Sequence, residues 1–416
     1  MAIERWWKTT ILTMGVVSLL TLGSACDREG GKQTTGQPSN LVDASAGLPV
    51  GNLWRQDFTF ADMDGDGELD LITAPPRKSK EPWPHIFLHR QNRWEPVLCD
   101  GVNLHGFPQE YGYGGLTVAD FDADGKPEIA LAIHEIGVRL LKNRGQDPCG
   151  PWEEETLPEE IKRFRSRAII AADMNGDQRV DMVALSEAPP MNSSDDTHGI
   201  AVLWNESEGW RLQTILGSEG LFGDDITVGE VNGDSIPDIA VGSLSDNRPQ
   251  FLWLSDGKGG WQAASTTGLP EFIIAWSVQL TDFDNDGKDE LVMGVGGAPV
   301  HKNGGPRVYR WDGGQWTNLS QGLPQVSWVC GVTATDLDHD GKKEIVAAGM
   351  YTGDVRVYGQ LPDGTWEERV SLQIHAEEKM RNYKLRSFVP KGSHVPVVVA
   401  NYANESTGRI TAWVWQ

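Results

Sequence analysis

An all-β fold, a propeller of seven four-stranded blades, is what the 416-residue sequence predicts, and three observations predict it. An acidic turn recurs six times at a nearly constant interval. Each turn is flanked by short apolar runs of strand character. A tryptophan opens a further strand late in each interval.

The turn is first met as Ala-Asp-Met-Asp-Gly-Asp-Gly-Glu-Leu-Asp-Leu-Ile, residues 61 to 72. Its leading acids recur at 62, 120, 173, 230, 282 and 336, which are 58, 53, 57, 52 and 54 residues apart. A fixed period of this size marks a repeat architecture before any single strand is assigned. Before each turn stands an alternating run such as Leu116-Thr117-Val118-Ala119, and after it a continuous apolar one such as Ile129-Ala130-Leu131-Ala132-Ile133. The acids therefore sit in a hairpin. A third run follows (Gly137-Val138-Arg139-Leu140-Leu141 in the second unit). A fourth opens at Trp94, Trp152, Trp210, Trp261, Trp316 and Trp366. Four antiparallel strands in about 50 residues describe one propeller blade.

A seventh unit keeps the period without its acids. Residues 386 to 400 read as its hairpin, with Phe388 where the first acid would stand, and the chain runs one strand further to Trp415. Residues 39 to 49, ending Ala46-Gly47-Leu48-Pro49, echo the fourth strand of unit five, which ends Gln321-Gly322-Leu323-Pro324. The N-terminal strand is thus expected to complete the last blade. Ring closure removes the edges that an open array would expose.

Carboxylates at alternate positions of one bend direct hard oxygen ligands inward, as Ca²⁺ requires. The expected ligands are Asp62, Asp64, Asp66 and Asp70; Asp120, Asp122, Asp124 and Glu128; Asp173, Asn175, Asp177 and Asp181; Glu230, Asn232, Asp234 and Asp238; Asp282, Asp284, Asp286 and Glu290; Asp336, Asp338, Asp340 and Glu344. Up to six ions are expected, the third and fourth sites being weakest because each has only three acids and lacks the turn glycine (Gln178, Ser235). These turns use 22 of the 59 acidic residues, so much of the net charge of −23 is internal to the repeat. That balance also argues against nucleic acid as a partner.

Ahead of the repeats, residues 1–25 have a basic start, an apolar run from Ile11 too short to span a bilayer, and the close Leu22-Gly23-Ser24-Ala25-Cys26. This resembles a bacterial lipoprotein signal, which implies lipidation of Cys26, a polar tether over 26–40, and a propeller at 41–416 on the periplasmic side of a membrane or at the cell surface. Export permits a disulfide, and Cys99 with Cys149 is the expected pair, buried free thiols being the alternative.

The stretch Phe222-Gly223-Asp224-Asp225 through Asp234, with Gly297-Ala298-Pro299 in another unit, resembles the FG-GAP or VCBS-type repeats of integrin α-subunit propellers and of many bacterial surface proteins. The resemblance spans about residues 41 to 416. It implies seven blades, calcium in the loops between first and second strands on one face, and ligands on the opposite face. Most units depart from the name-giving Phe-Gly and Gly-Ala-Pro.

No nucleophile elbow, zinc-protease helix motif, phosphate loop or cysteine-rich metal site occurs, so no catalytic residue is assigned. His134 with Glu135 is the one candidate acid/base pair, and His339 is expected to face solvent. Residues just before the first strands form the candidate binding face: Trp54, Arg55, Tyr111, Tyr113, Arg165, Arg167, Phe222, Trp276, Trp328 and Lys384. Aromatics with arginine suit recognition. Packing between blades is the competing reading. The sequence thus favours a membrane-tethered binding or scaffold module for a protein or polysaccharide partner. A lyase-like polysaccharide enzyme or a lectin, with its site at the axial mouth, is the alternative.

Overall fold

The computed structural model describes residues 40–77, 83–98, 114–188, 199–244, 250–296, 304–326, 328–374 and 379–416. Seven antiparallel four-stranded sheets form a ring of blades. Blade two shows the pattern, with strands Gly114–Ala119, Glu128–Ile133, Gly137–Asn143 and Trp152–Glu154 in consecutive antiparallel pairing. Every residue of Glu128–Ile133 is buried, because neighbouring blades cover both faces of a second strand; this is why these runs are continuously apolar. Outer strands such as Trp366–Gln373 mix buried and exposed positions. The packed cores lie between blades rather than within them. One joins Val231, Ala240 and Leu252 of blade four to Val278, Leu291 and Trp311 of blade five.

The last blade is completed as the sequence predicts. Leu41–Asp43 pairs antiparallel with Gly408–Trp415, Leu41 opposite Trp415 and Asp43 opposite Trp413, so the first described strand and the last one zip into one sheet. In this blade the bend has no acids. Phe388 is instead buried in an aromatic cluster with Phe60, His89 and Trp94, at ring separations of 4.4, 6.1 and 6.1 Å. Apolar burial replaces the charged turn at the closing seam.

Three seams, the closing one among them, carry a shared device. The indole N–H groups of Trp94, Trp316 and Trp366 donate to the carbonyls of Ala44, Ser265 and Leu319 in the preceding blade, at 3.1, 2.8 and 3.0 Å. Their backbone N–H groups donate to Ala46, Thr267 and Gln321, each at 2.8 Å. The residue after each acceptor is a left-handed glycine (Gly47, Gly268, Gly322), where a Cβ would stand 1.8 to 2.1 Å from the tryptophan carbonyl oxygen. Only glycine fits so close an approach. The recurring Gly-Leu-Pro is therefore a clasp on the next blade's tryptophan.

Of the remaining expectations, Cys149 is disulfide-bonded and Cys330 is free and buried. Cys26, Cys99, Tyr111, Tyr113, Gly297-Ala298-Pro299 and the leader and tether through Ser39 lie outside the described residues.

Candidate functional site

Because strands alternate in direction, all bends between first and second strands fall on one face of the ring. The second-to-third and fourth-to-first connections fall on the other. Each face carries a candidate site.

On the first face the acid turns are built by their own carboxylates. Asp62 accepts the amides of Gly65 and Gly67, both at 2.8 Å, and Asp282 those of Asp286 and Gly287 at 3.2 and 2.9 Å. The sixth position of each turn is left-handed. Gln178 and Ser235 adopt φ of 69° and 65° there without being glycine, a conformation that costs side-chain-bearing residues energy.

The ninth position divides the turns in two groups. Asp70, Asp181 and Asp238 each spend one oxygen on the second-position amide (Met63, Met174, Val231). The other goes to a third-strand amide, His89 at 2.9 Å, Asn205 at 2.8 Å and Ser255 at 2.9 Å. Glutamate has one more methylene. Glu128, Glu290 and Glu344 accept the same second-position amides, of Phe121, Phe283 and Leu337, and each also places a carboxylate oxygen among the other acids of its turn. Ligand oxygens gather within 4.8 Å of one another in four groups among the described residues: Asp120, Asp122, Asp124 and Glu128; Asp62, Asp64 and Asp66; Asp282, Asp284 and Glu290; Asp336, Asp338 and Glu344. The acids of blades three and four form no such group.

Burial pushes the carboxyls of Asp70, Glu128, Asp238, Glu290 and Glu344 up to about 7, and that of Asp181 to about 6, against amide hydrogen bonds that favour ionisation. Basic side chains of the same blade lean on the turns. Arg90 pairs with Asp64, Lys142 with Asp122 at 3.3 Å, and Arg369 with Asp338 and Glu344 at 2.7 and 2.9 Å. Even so, Asp336 Oδ1 and Glu230 Oε2 are buried without a hydrogen-bond partner. All-oxygen donor groups with orphaned lone pairs fit a hard divalent cation.

On the opposite face the sequence-predicted residues divide. Trp54 is only 4% exposed and packs edge-on against His85 and Phe87 at 5.1 and 6.1 Å, so it belongs to the core and offers no ring to a ligand. Lys384 is also buried, held by Asp225 at 3.0 Å, and contributes no free charge to the surface. Arg165 and Phe222 are half-buried beside the mouth. Arg167 bridges Asp224 at 2.6 Å and Glu187 at 3.4 Å. Trp276 and Trp328 are half-buried and brought together at 5.5 Å, and the Trp328 ring meets Tyr351 at 5.9 Å. Trp328 has φ of 60°, which for so bulky a residue is strain of the kind concentrated at functional sites. Arg55 lies over the Tyr383 ring at 5.4 Å and Arg381 over that of Tyr351 at 5.3 Å.

Tyr351, Tyr383 and Arg381 escaped the sequence reading. Tyr351 stands in a second-to-third connection, away from the residues that precede first strands; Arg381 and Tyr383 lie within the first strand of the seventh unit, where no local pattern marks which side chains reach the mouth. His134 is engaged elsewhere than expected: Nδ1 bonds the buried carboxylate of Glu187, whereas Glu135 stands 3.6 Å from Nε2. His339 is exposed, 6.3 Å from the His394 ring.

At the centre, Asp57, Asp225, Lys384 and Arg386 fill the space between innermost strands. Arg386 meets Asp57 at 2.8 and 2.9 Å and Asp225 at 3.2 Å. Burial opposes ionisation of Asp225, but Lys384 and Arg386 outweigh it and hold its carboxyl below the usual range.

These features define a seven-bladed propeller of acid-turn repeats, and residues 62–131 and 231–293 match the FG-GAP-like repeat family. The chain thus carries FG-GAP-like repeats on a seven-bladed β-propeller. It is 23% identical to cartilage acidic protein 1 of Xenopus tropicalis over 69% of this chain and 47% of that protein, and 23% identical to its Homo sapiens counterpart over 57% and 39%. T-cell immunomodulatory protein of Rattus norvegicus is 24% identical over 29% of this chain and 20% of its own length. The chain thus matches less than half the length of each of these relatives. Among solved structures, BBS1N in complex with ARL6DN superposes with TM-scores of 0.51 and 0.52 in lead- and mercury-soaked crystals. The identities are 13% and 14%, with 90% of this chain and 97% of that one covered. At that identity the likeness concerns the fold.

Proposed function

We propose that this propeller is an exported, lipid-tethered recognition module, braced by Ca²⁺ on one face and docking a protein partner on the other. One observation carries the docking reading. Of the exposed large apolar residues among those described, Val50, Leu98, Leu216, Phe272 and Tyr351 all lie in connections on the face away from the acid turns. Val42 and Val389 are the exceptions among the described residues. Apolar groups gathered on one face and interleaved with arginine are the composition of a protein interface. The charged plug at the centre directs binding to the surface of the mouth rather than through it. BBS1N, which shares the fold, was crystallised in complex with ARL6DN, which accords with a protein partner.

Calcium is the reading best suited to the acid turns, whose donors are all carboxylates in four gathered groups. The acids would hold the ion, and the ion would cancel their repulsion and fix each hairpin. Export and anchoring rest on residues 1–26, where an apolar run ends in a cysteine after small residues.

The test is chemical cross-linking of the membrane-bound protein in its native envelope, comparing the parent with Arg55→Glu and Tyr351→Ala. A defined cross-linked protein that is lost in both variants supports the reading. Equal cross-linking in all three, or turnover of a glycan by the purified protein, overturns it. Cys26→Ser is expected to release the protein from membranes, and persistent attachment would contradict the anchor.

A further inference from the structure

The seam between blades two and three lacks the clasp that closes three others. Glu155 begins it normally: its amide donates to the third-strand carbonyl of Leu140 at 2.8 Å, as those of Ala44, Ala264 and Leu319 do to Ala412, Leu252 and Val308. From that residue to the leucine ending the clasp there are four positions in Ala44–Leu48 and Leu319–Leu323 and five in Ala264–Leu269, but two in Glu155–Leu157. The turn and its glycine are missing, and Thr156 stands alone in their place. Trp210, the residue a clasp would hold, is half-buried where Trp94, Trp316 and Trp366 are buried. No carbonyl among the described residues receives its indole N–H.

What remains is a cleft of about 640 Å³ whose wall includes Phe121, Leu157 and Trp210, with Phe121 edge-on to Trp210 at 5.8 Å. Its rim carries Glu155, Glu206 and Glu208. Lys142 neutralises Glu155 at 2.7 Å and Arg211 neutralises Glu206 at 2.6 Å. Lys142 is shared with Asp122 at 3.3 Å and Arg179 is paired to Asp177 at 2.7 Å, so the four acids of the rim, Asp122, Glu155, Glu206 and Glu208, keep an acidic excess.

We propose that this cleft docks a glycine-containing turn of a partner polypeptide bearing a basic residue, seated where the chain's own Gly-Leu-Pro turns sit at the other seams. The occupant's shape follows from those seams. Two main-chain carbonyls accept the amide and indole N–H of the tryptophan. A Cβ at the turn would stand about 2 Å from the tryptophan carbonyl oxygen, which demands glycine. The basic residue answers the acidic rim. This surface lies on the acid-turn side of the ring and is independent of the docking face proposed above.

The probe is the chain's own clasp, residues 318 to 324, extended by one lysine, an acetylated and amidated Asn-Leu-Ser-Gln-Gly-Leu-Pro-Lys peptide, titrated calorimetrically into the intact protein. Saturable binding is expected, weakened at least about tenfold by Trp210→Ala, and weakened also by Trp210→Phe, which keeps a ring but lacks the N–H. Valine for glycine in the peptide abolishes it. Replacing Thr156 by Ser-Gln-Gly, which restores the clasp length, also abolishes it while the melting temperature holds or rises. No binding to the parent overturns the proposal, as does undiminished binding to Trp210→Phe or to the restored-clasp variant.

Discussion

Lys384 of blade seven donates to the carboxylate of Asp225 in blade four at 3.0 Å, a bond between blades that are not neighbours in the ring. Arg386, two residues on, joins Asp225 to Asp57 ahead of blade one. Four charges from three blades thus tie the ring across its axis, and Lys384 also donates to the Asp224 carbonyl. Breaking one partner leaves an uncompensated charge in a buried site. Asp225→Asn is therefore expected to cost about 3–5 kcal/mol, read as a lowered midpoint in urea. Lys384→Met combined with Asp225→Leu should recover part of that loss. A double variant no better than the singles would mean that the pair does not act as a unit.

The ninth-position carboxyls set how the metal-free protein responds to pH. Their folded values, about 7 for five of them and about 6 for Asp181, exceed the usual carboxylate value near 4. The folded state therefore binds more protons than the unfolded one between those limits. The resulting stability is fully present below about pH 4 and is lost as pH rises through about 7. In chelator, the melting temperature is expected to rise on going from pH 8 to pH 5. With Ca²⁺ the order reverses, since protons compete with the ion. A chelated melt that falls on acidification would contradict the burial of these groups.

The ring and its closure were legible because they rest on local signals: a period, an acidic bend, apolar runs and an echoed Gly-Leu-Pro. The axial tie was not, since Asp225 and Lys384 are 159 residues apart and nothing local links them. Trp54 shows the same limit. Its position before a first strand suggested exposure, but packing against His85 and Phe87 decides otherwise. Aspartate and glutamate at the ninth position looked equivalent in sequence. One methylene of reach separates the acids that brace a third strand from those that join the ligand group.

That difference makes the turns experimentally separable. Glu128→Gln removes a charged donor from the four-acid group but keeps an oxygen for the Phe121 amide, so it should remove one bound Ca²⁺ while scarcely altering the chelated melt. Asp238→Ala removes the acceptor of two buried amides, those of Val231 and Ser255. It should cost about 1–3 kcal/mol per amide left unpaired, with the ion count unchanged. The parent is expected to bind close to four ions, one for each gathered group. Equilibrium dialysis that gives six ions for the parent, or a lost ion for Asp238→Ala, would refute the division.

The seventh bend provides the control without metal. Phe388 occupies the place of a leading acid, and its ring lies 4.4 Å from Phe60, against the cluster that holds the N-terminal strand's seam to blade one. Its contribution is apolar burial, which no chelator can remove. Phe388→Ala should destabilise the ring by about 3 kcal/mol, to the same extent in Ca²⁺ and in chelator. Phe388→Asp should be worse still, because an isolated carboxylate enters an apolar seam with no partner acids to complete a ligand set. Urea titrations of both variants, each with and without the ion, decide the matter. A Phe388→Asp protein that regains stability on adding Ca²⁺ would show that the bend can still form a site, and that Phe388 alone had closed it.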